Sequence, residues 1–478
     1  MLFNSIDFTI FLPIVFSLYW LINDKSLKLQ NILIVASSYI FYGWWDWRFL
    51  SLIFCSTAID YLIGTKLKNE NLDSKRKILL WTSIIVNIGF LGFFKYYNFF
   101  LESFTSAFSF FGAEITSNSL NIILPVGISF YTFQTLSYTI DVYKRKIEPT
   151  NDFISFAAFV SFFPQLVAGP IERASHLLPQ FYKRRSFDHH KAVDGIRQIL
   201  WGLFKKVVIA DNAAEIANII FNNSDNFNGS TLILGSVMFS FQIYGDFSGY
   251  SDIAIGTSRL FGFDLKQNFA TPYFSRSIAE FWRRWHISLS SWFRDYLYIP
   301  LGGGRGGNLM RIRNTFIIFV VSGFWHGANW TFIIWGVINA CYILPSIVLR
   351  KNRNNLDIVA AERLLPSYKE FSSILITFFL TVLAWVFFRS DNINHALQIM
   401  SHIFSMSLFD PLEVKPLFII ALILFFTIIE WFGRFGEYGL QKIFVKQPVY
   451  MRWSFYFILI FCIILFSGKA QEFIYFQF

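Results

Sequence analysis

The stretch that decides the fold is 315-TFIIFVVSGFWHGANWTFIIWGVINACYILPSIVL-349. A helix needs about 20 apolar residues to cross the hydrocarbon core, so this run is too long for one upright span and too short for two. Gly323 and Gly327 offer a natural break. Residues 315–327 then read as a half-length, re-entrant helix and 330–349 as a full span, which sets His326 near mid-bilayer. Its neighbours in sequence are Phe319, Val320, Val321, Phe324 and Trp325, all apolar. Desolvation disfavours a charged imidazole, so His326 is expected to be neutral and able to accept a proton. The alternative is an interhelical hydrogen bond, worth about 0.6–2 kcal/mol. Within a membrane, an ionisable side chain is a functional residue by default.

Outward from this run the chain is of one kind. Of its 478 residues 54% are hydrophobic, 61 are phenylalanine and only 15% are charged, against roughly 25% charged in ordinary soluble domains. Further apolar stretches cover 8–22, 29–47, 49–64, 78–101, 119–140, 152–170, 195–221, 231–256, 371–388, 416–433 and 453–467. They are continuous and not alternating, which excludes a β-barrel. The expected fold is an all-α polytopic membrane protein with about 11 crossings. Interfacial and re-entrant helices are expected around a central cavity, in one domain over 1–478. No repeat or low-complexity linker interrupts it. Asp7 stands where the basic start of a signal peptide would be, so 8–22 reads as a retained span.

The net charge of +10 is loop charge. Lys66, Lys68, Lys75, Arg76 and Lys77 form one cluster and Lys183, Arg184 and Arg185 another. Such clusters fix orientation and meet anionic lipid headgroups. Nucleic-acid binding is not expected, because no soluble basic domain exists to carry it. Cys55, Cys341 and Cys462 lie far apart in apolar spans and read as small buried hydrophobes.

Several spans carry residues that straight lipid-facing helices avoid. Pro125-Val126-Gly127 interrupts one, and Pro164 with Gly169-Pro170 another. The span 231–256 holds Gln242, Tyr244, Asp246, Ser248, Tyr250, Ser251 and Asp252. These either wall a polar chamber or, with Gly245 and Gly249 at i and i+4, form a close-packing face with polar contacts across it.

Residues 278–296 do not read as a span. On a 3.6-residue period Ile278, Phe281, Trp282, Trp285, Leu289, Trp292 and Tyr296 form one stripe, with Arg283, Ser290 and Arg294 opposite. Glu280 is spaced to meet Arg284. The pattern predicts one amphipathic helix lying in the interface, with His286 at the border of its two faces. Pro300 and Gly302-Gly303-Gly304-Arg305-Gly306-Gly307 end it. That glycine run is either a flexible turn or a cradle for anions beside Arg305; it lacks the terminal Lys-Ser/Thr of a phosphate-binding loop. Metal ligation is not expected, since no Cys or His lies at ligand spacing from His286 or His326. His189-His190 reads as solvated, and His176, His395 and His402 as span-edge residues. A serine triad lacks its Gly-x-Ser-x-Gly elbow.

With these residues in view, the chain resembles the membrane-bound O-acyltransferases, in particular their bacterial alginate O-acetyltransferase-like branch. The resemblance runs from Met1-Leu2-Phe3-Asn4-Ser5 through Pro125-Val126-Gly127-Ile128-Ser129-Phe130 and Phe163-Pro164-Gln165-Leu166-Val167-Ala168-Gly169-Pro170-Ile171. It continues in Tyr244-Gly245-Asp246-Phe247-Ser248-Gly249-Tyr250 and is most specific at 281–304 and Trp325-His326-Gly327-Ala328. The resemblance implies that His326 is the essential active-site histidine and His286 the second one. It also implies tilted helices around a thin centre, with a funnel on the outer face and a donor entrance on the cytoplasmic face.

The expected reaction moves an acetyl group from a cytoplasmic thioester across the bacterial inner membrane. Acetyl-CoA would be the donor, and no cofactor is held permanently. The acceptor would be a hydroxyl of an extracytoplasmic polysaccharide such as alginate, cellulose or peptidoglycan, reached through a separate periplasmic or extracellular acetyltransferase partner. His326 would act as base; His286 would orient a reactant or stabilise the oxyanion. One rival is D-alanyl transfer from a carrier protein to teichoic acid. Others are a transporter or flippase, for which no paired inverted repeats appear, and a scaffolding subunit.

Overall fold

The structure is a computed structural model that describes residues 1–23, 25–110, 119–443, 447–469 and 471–474. Among them there are helices and turns but no strand. Four helical stretches are long and apolar enough to cross a membrane: Leu27–Asn69, Asp73–Phe110, Trp330–Val348 and Tyr368–Arg389. Three shorter apolar helices, Ile6–Leu21, Leu417–Gly433 and Val449–Leu465, join them. The first shows how such helices divide their surface. Phe8, Phe11, Val15 and Tyr19 are buried, while Ile6, Ile10, Ile14, Leu18 and Leu21 are exposed at spacings of three and four. An exposed stripe of that composition suits hydrocarbon, not water. The same logic corrects the reading of the cysteines. Cys55 and Cys341 are exposed and Cys462 is half-buried, because the outside of a membrane helix is as apolar as its inside.

Two compact units can be distinguished, one of residues 1–192 with 257–265, the other of 193–256 with 266–478. In the first, Leu50–Asn69, Asp73–Leu91 and Ile128–Tyr143 meet around a buried carboxylate. Asp60 accepts from Ser83 Oγ, from Asn87 Nδ2 at 2.8 Å and from Thr139 Oγ1 at 3.0 Å. Three donors replace the water that an isolated carboxylate would require. The interruption expected at Pro125-Gly127 is the start of Ile128–Tyr143, whose N-cap Gly127 has φ +74°. A span over 119–140 is therefore not one helix.

The second unit holds His286 and His326. The hairpin Gly307–His326 and Trp330–Val348 breaks where the glycines and length predicted, at 327–329. Its first helix begins eight residues earlier than 315, because Arg311 and Asn314 donate back to the carbonyls of Gly304 and Gly303 at 3.1 and 2.9 Å and tie the turn to the first helical turns. The two helices touch through glycine. A Cβ on Gly323 would lie 2.2 Å from the Phe332 carbonyl oxygen, and one on Gly336 2.2 Å from that of Phe319. Gly336→Leu should accordingly lower thermal stability by about 1–3 kcal/mol or more, read as a reduced unfolding temperature in detergent. An unchanged midpoint would mean that the hairpin is not packed this way.

The polar span resolves into the close-packing alternative. Gly229–Leu260 lies against 193–210, where a Cβ on Gly249 would be 2.7 Å from the Gly202 carbonyl oxygen. Asp246 and Asp252 are not walls of a wet chamber. Lys206 Nζ meets Asp246 at 2.9 Å and Asp211 at 2.8 Å, and Lys205 Nζ meets Asp252 at 2.8 Å. Gln198 also donates to Asp252, and Tyr244 and Trp201 both donate to Glu430, which lies 3.5 Å from Lys205. Each buried charge thus has an opposite charge or donors around it, as a low-dielectric interior demands.

Candidate active site

The segment 278–296 is not the single interfacial helix that its periodicity suggested. It forms two short helices, Ile278–Arg284 and Ile287–Phe293, followed by a wider turn over Arg294–Tyr298. Trp285 and His286 are 1% exposed and Glu280 is wholly buried, so this is core and not surface. The apolar stripe looked continuous because a kink of two residues hardly changes the phase of two seven-residue helices. Glu280 does bond Arg284, at 2.9 Å, and also Arg276, at 3.1 Å. Arg283 instead donates to the carbonyls of Asn352, Asn354 and Asn355 at 2.7–3.0 Å, holding that loop.

His286 is the break itself. Its φ of +45° lies in the left-handed region, and the amides beyond it are met by Asn268 in place of a helical turn. Ile287 N–H donates to the Asn268 carbonyl at 2.9 Å, and Ser288 donates to Asn268 Oδ1 from N–H at 3.3 Å and Oγ–H at 2.8 Å. Those donors fix which end of the Asn268 amide is oxygen. Its Nδ2 then faces Ser251 Oγ at 3.1 Å. Because His286 Nδ1 lies 3.1 Å from the same Oδ1, the network assigns the proton to Nδ1 and the lone pair to Nε2. Outside the long apolar helices, burial pushes the His286 imidazole down to about 3, so the ring is neutral at ordinary pH. Removing this support in Asn268→Leu should cut activity by about 10–100-fold, with folding checked by gel filtration. Activity equal to the parent chain would show that ring orientation is set elsewhere.

His326 is the last residue of its helix and 3% exposed. Its ring lies edge-on to Trp335 at 5.2 Å and Phe388 at 5.3 Å, with Trp325 at 4.9 Å. Trp335 stacks on Trp385 at 5.6 Å, and Trp385 reaches Trp285 at 5.2 Å. Gly327 must be glycine, since a Cβ there would come 2.1 Å from the Phe332 ring. Asn329 stops the break from running on: it caps the next helix by accepting from Thr331 N–H at 3.0 Å.

The fold brings the two histidines to one aromatic cluster. Trp325 is the shared wall, its ring 6.1 Å from His286 and 4.9 Å from His326. A cavity of about 550 Å³ opens one turn away, lined by Trp282, Leu289, Ser290 and Ser322 and by Arg283, Arg294, Arg311 and Arg353. Neither imidazole lines it. Three amides of the glycine run are already engaged: those of Gly302, Gly303 and Arg305 donate to Ile299, Tyr298 and Gly302 carbonyls. Of the other histidines, His176 meets Glu172 at 2.7 Å and His395 Nε2 lies 3.1 Å from Ser224 Oγ. Sequence reasoning missed Asn268, Lys205 and Lys206. Two adjacent lysines in the apolar run 199–210 were a readable signal; Asn268 offered none.

The fold is all-helical with two buried imidazoles on separate broken elements, and sequence comparison supplies the class. The membrane-bound O-acyltransferase family model matches residues 40–388, which include both histidines. The chain belongs to the membrane-bound O-acyltransferase family and is an acyltransferase. It is 39% identical over 457 residues to the Probable alginate O-acetylase AlgI of Pseudomonas aeruginosa, covering 94% of this chain and 84% of that one. The Peptidoglycan O-acetyltransferase of Helicobacter pylori is 36% identical over 429 residues, 84% of this chain and 79% of its own. The Teichoic acid D-alanyltransferase of Bacillus subtilis is 30% identical over 237 residues, only 46% of this chain and 60% of its own.

Proposed function

We propose that this enzyme transfers an acetyl group from a cytoplasmic thioester, acetyl-CoA, toward hydroxyls of an extracytoplasmic polysaccharide. In this reading it is a single domain with about 11 crossings in the bacterial inner membrane, and a separate periplasmic or extracellular acetyltransferase completes delivery. The observation that carries the reading is the convergence of His286 and His326 on Trp325 from two broken elements. The polysaccharide O-acetylating relatives match along 84–94% of the chain and the D-alanyl relatives along 46–57%, which favours acetyl over D-alanyl transfer.

In the reaction, His326 takes the proton of the attacking hydroxyl as its oxygen bonds to the thioester carbonyl carbon. The tetrahedral intermediate collapses, the carbon–sulfur bond breaks, and the thiolate leaves with the proton returned by the imidazolium. The Nδ1–H of His286 faces Asn268, so its Nε2 is an acceptor. Of the two roles considered for His286, orienting a reactant, by accepting from an O–H or N–H other than the one His326 deprotonates, therefore fits and hydrogen-bonding to the oxyanion does not. Donor phosphates would meet Arg294, Arg311 and Arg353 at the 550 Å³ cavity, whose apolar wall suits the pantetheine arm. The test is O-acetyl content of the surface polysaccharide in cells with and without the protein, together with radiolabelled acetyl-CoA or charged carrier supplied to membranes. Label passing only from the carrier would overturn acetyl transfer.

A further inference from the structure

Residues between Gln180 and Lys191, with Trp20, Arg259, Gly262 and Asp264, line a cavity in the first unit. Its frame is rigid. Arg185 is buried and donates to Gln30 Oε1 at 3.0 Å and Asn31 Oδ1 at 2.8 Å, its guanidinium 4.7 Å above the Phe263 ring. Gln180 and Asp264 clasp each other, Nε2 to carbonyl at 3.0 Å and N–H to Oε1 at 2.9 Å. The enclosed space is about 330 Å³, and five basic side chains face it against two carboxylates. Both carboxylates are already answered. Asp188 caps the helix that follows, accepting from His190 N–H at 2.9 Å and Lys191 N–H at 3.1 Å. Asp264 pairs with Lys191 at 3.2 Å. Lys183 and Arg184 are exposed and, among the described residues, have no carboxylate within ion-pair distance. Lys183 and Arg184 therefore give the wall positive charge that no carboxylate of the described residues pairs.

What surrounds the cavity says which anion it suits. Trp20 lines it from the end of Ile6–Leu21, the helix whose exposed stripe runs from Ile6 to Leu21. Phe187, 50% exposed, packs edge-on to Trp20 at 5.4 Å and to Phe16 at 6.1 Å, and Tyr182, the residue before Lys183, is 45% exposed. Exposed aromatics, a tryptophan and unmatched cations at the end of an apolar helix are the composition of a headgroup level. A helix of 16 residues rises roughly 24 Å, more than the acyl chains of one leaflet require.

We propose that this cavity binds the phosphate of an anionic glycerophospholipid, with Lys183 and Arg184 as its counter-ions and the acyl chains lying along Ile6–Leu21. The shared chemistry is a phosphate anion, and the apolar stripe is what distinguishes a lipid from free phosphate.

The full chain, delipidated in detergent, is titrated with phosphatidylglycerol, phosphatidylcholine or inorganic phosphate while its melting temperature and lipid adducts in native mass spectrometry are followed. Phosphatidylglycerol should stabilise saturably and the other two should not. The double variant Lys183→Gln/Arg184→Gln should bind phosphatidylglycerol at least about tenfold more weakly, whereas Lys66→Gln/Lys68→Gln, at the basic end of Leu50–Asn69, should bind as the parent does. All four altered residues are exposed, and gel filtration confirms that each variant is folded. Equal effects of phosphatidylcholine, or unchanged affinity in the first double variant, would overturn the site. An equal effect of inorganic phosphate would make it an anion site and overturn the lipid assignment.

Discussion

A chain carrying His326→Gln is expected to reach the membrane and fold, yet to lose polysaccharide O-acetylation by about 10²–10⁴-fold, the worth of a positioned base. Glutamine is close to histidine in volume and leaves the aromatic cage of Trp325, Trp335 and Phe388 nearly filled. His326→Ala should be equally inactive but less stable, because it opens a gap among those rings. The comparison separates chemistry from packing. If the glutamine chain kept parental acetylation while the alanine chain lost it along with its stability, His326 would be a packing residue and the acid–base role would be wrong. O-acetyl release from the purified glycan, normalised to the amount of protein in the membrane, gives the measurement.

The second large effect concerns stability. Lys206 is the common counter-ion of Asp211 and Asp246, and all three side chains are nearly sealed from the surface. Lys206→Met would leave two carboxylates facing each other without a cation, a change expected to cost about 3–5 kcal/mol. Thermal unfolding in detergent should register it as a drop of many degrees or as failure to accumulate. Replacing all three with apolar residues of similar volume should recover most of the loss, because the desolvation of the charges disappears with the charges. If the triple variant were no better than Lys206→Met, the network would hold something other than its own electrostatics in place.

These residues also show what the sequence carried and where it stopped. The break in 315–349 was legible because length and glycine spacing are local facts, and the helices do part at 327–329. The apolar setting of His326 was legible from its neighbours in sequence, and its ring does lie among Trp325, Trp335 and Phe388. The early start at Gly307 was not, since Arg311 and Arg313 look like loop until the carbonyls they bond are known. The segment around His286 misled for a related reason. Periodicity reports phase and not continuity, and the cause of the kink, Asn268, lies eighteen positions upstream. Asp246 and Asp252 were visible as charges in a span. Whether they faced a chamber or a neighbour depended on Lys205 and Lys206, whose positions only the packing of 193–210 on Gly229–Leu260 supplies.

The left-handed backbone at position 286 has a bearing on how its side chain can be interrogated. Only glycine adopts that conformation freely, while asparagine and aspartate, like histidine itself, tolerate it better than other residues. An alanine scan would therefore mix a main-chain penalty with the removal of the ring. Asparagine is the cleaner exchange: it respects the torsion, removes the imidazole, and lets a change in turnover be read as chemistry.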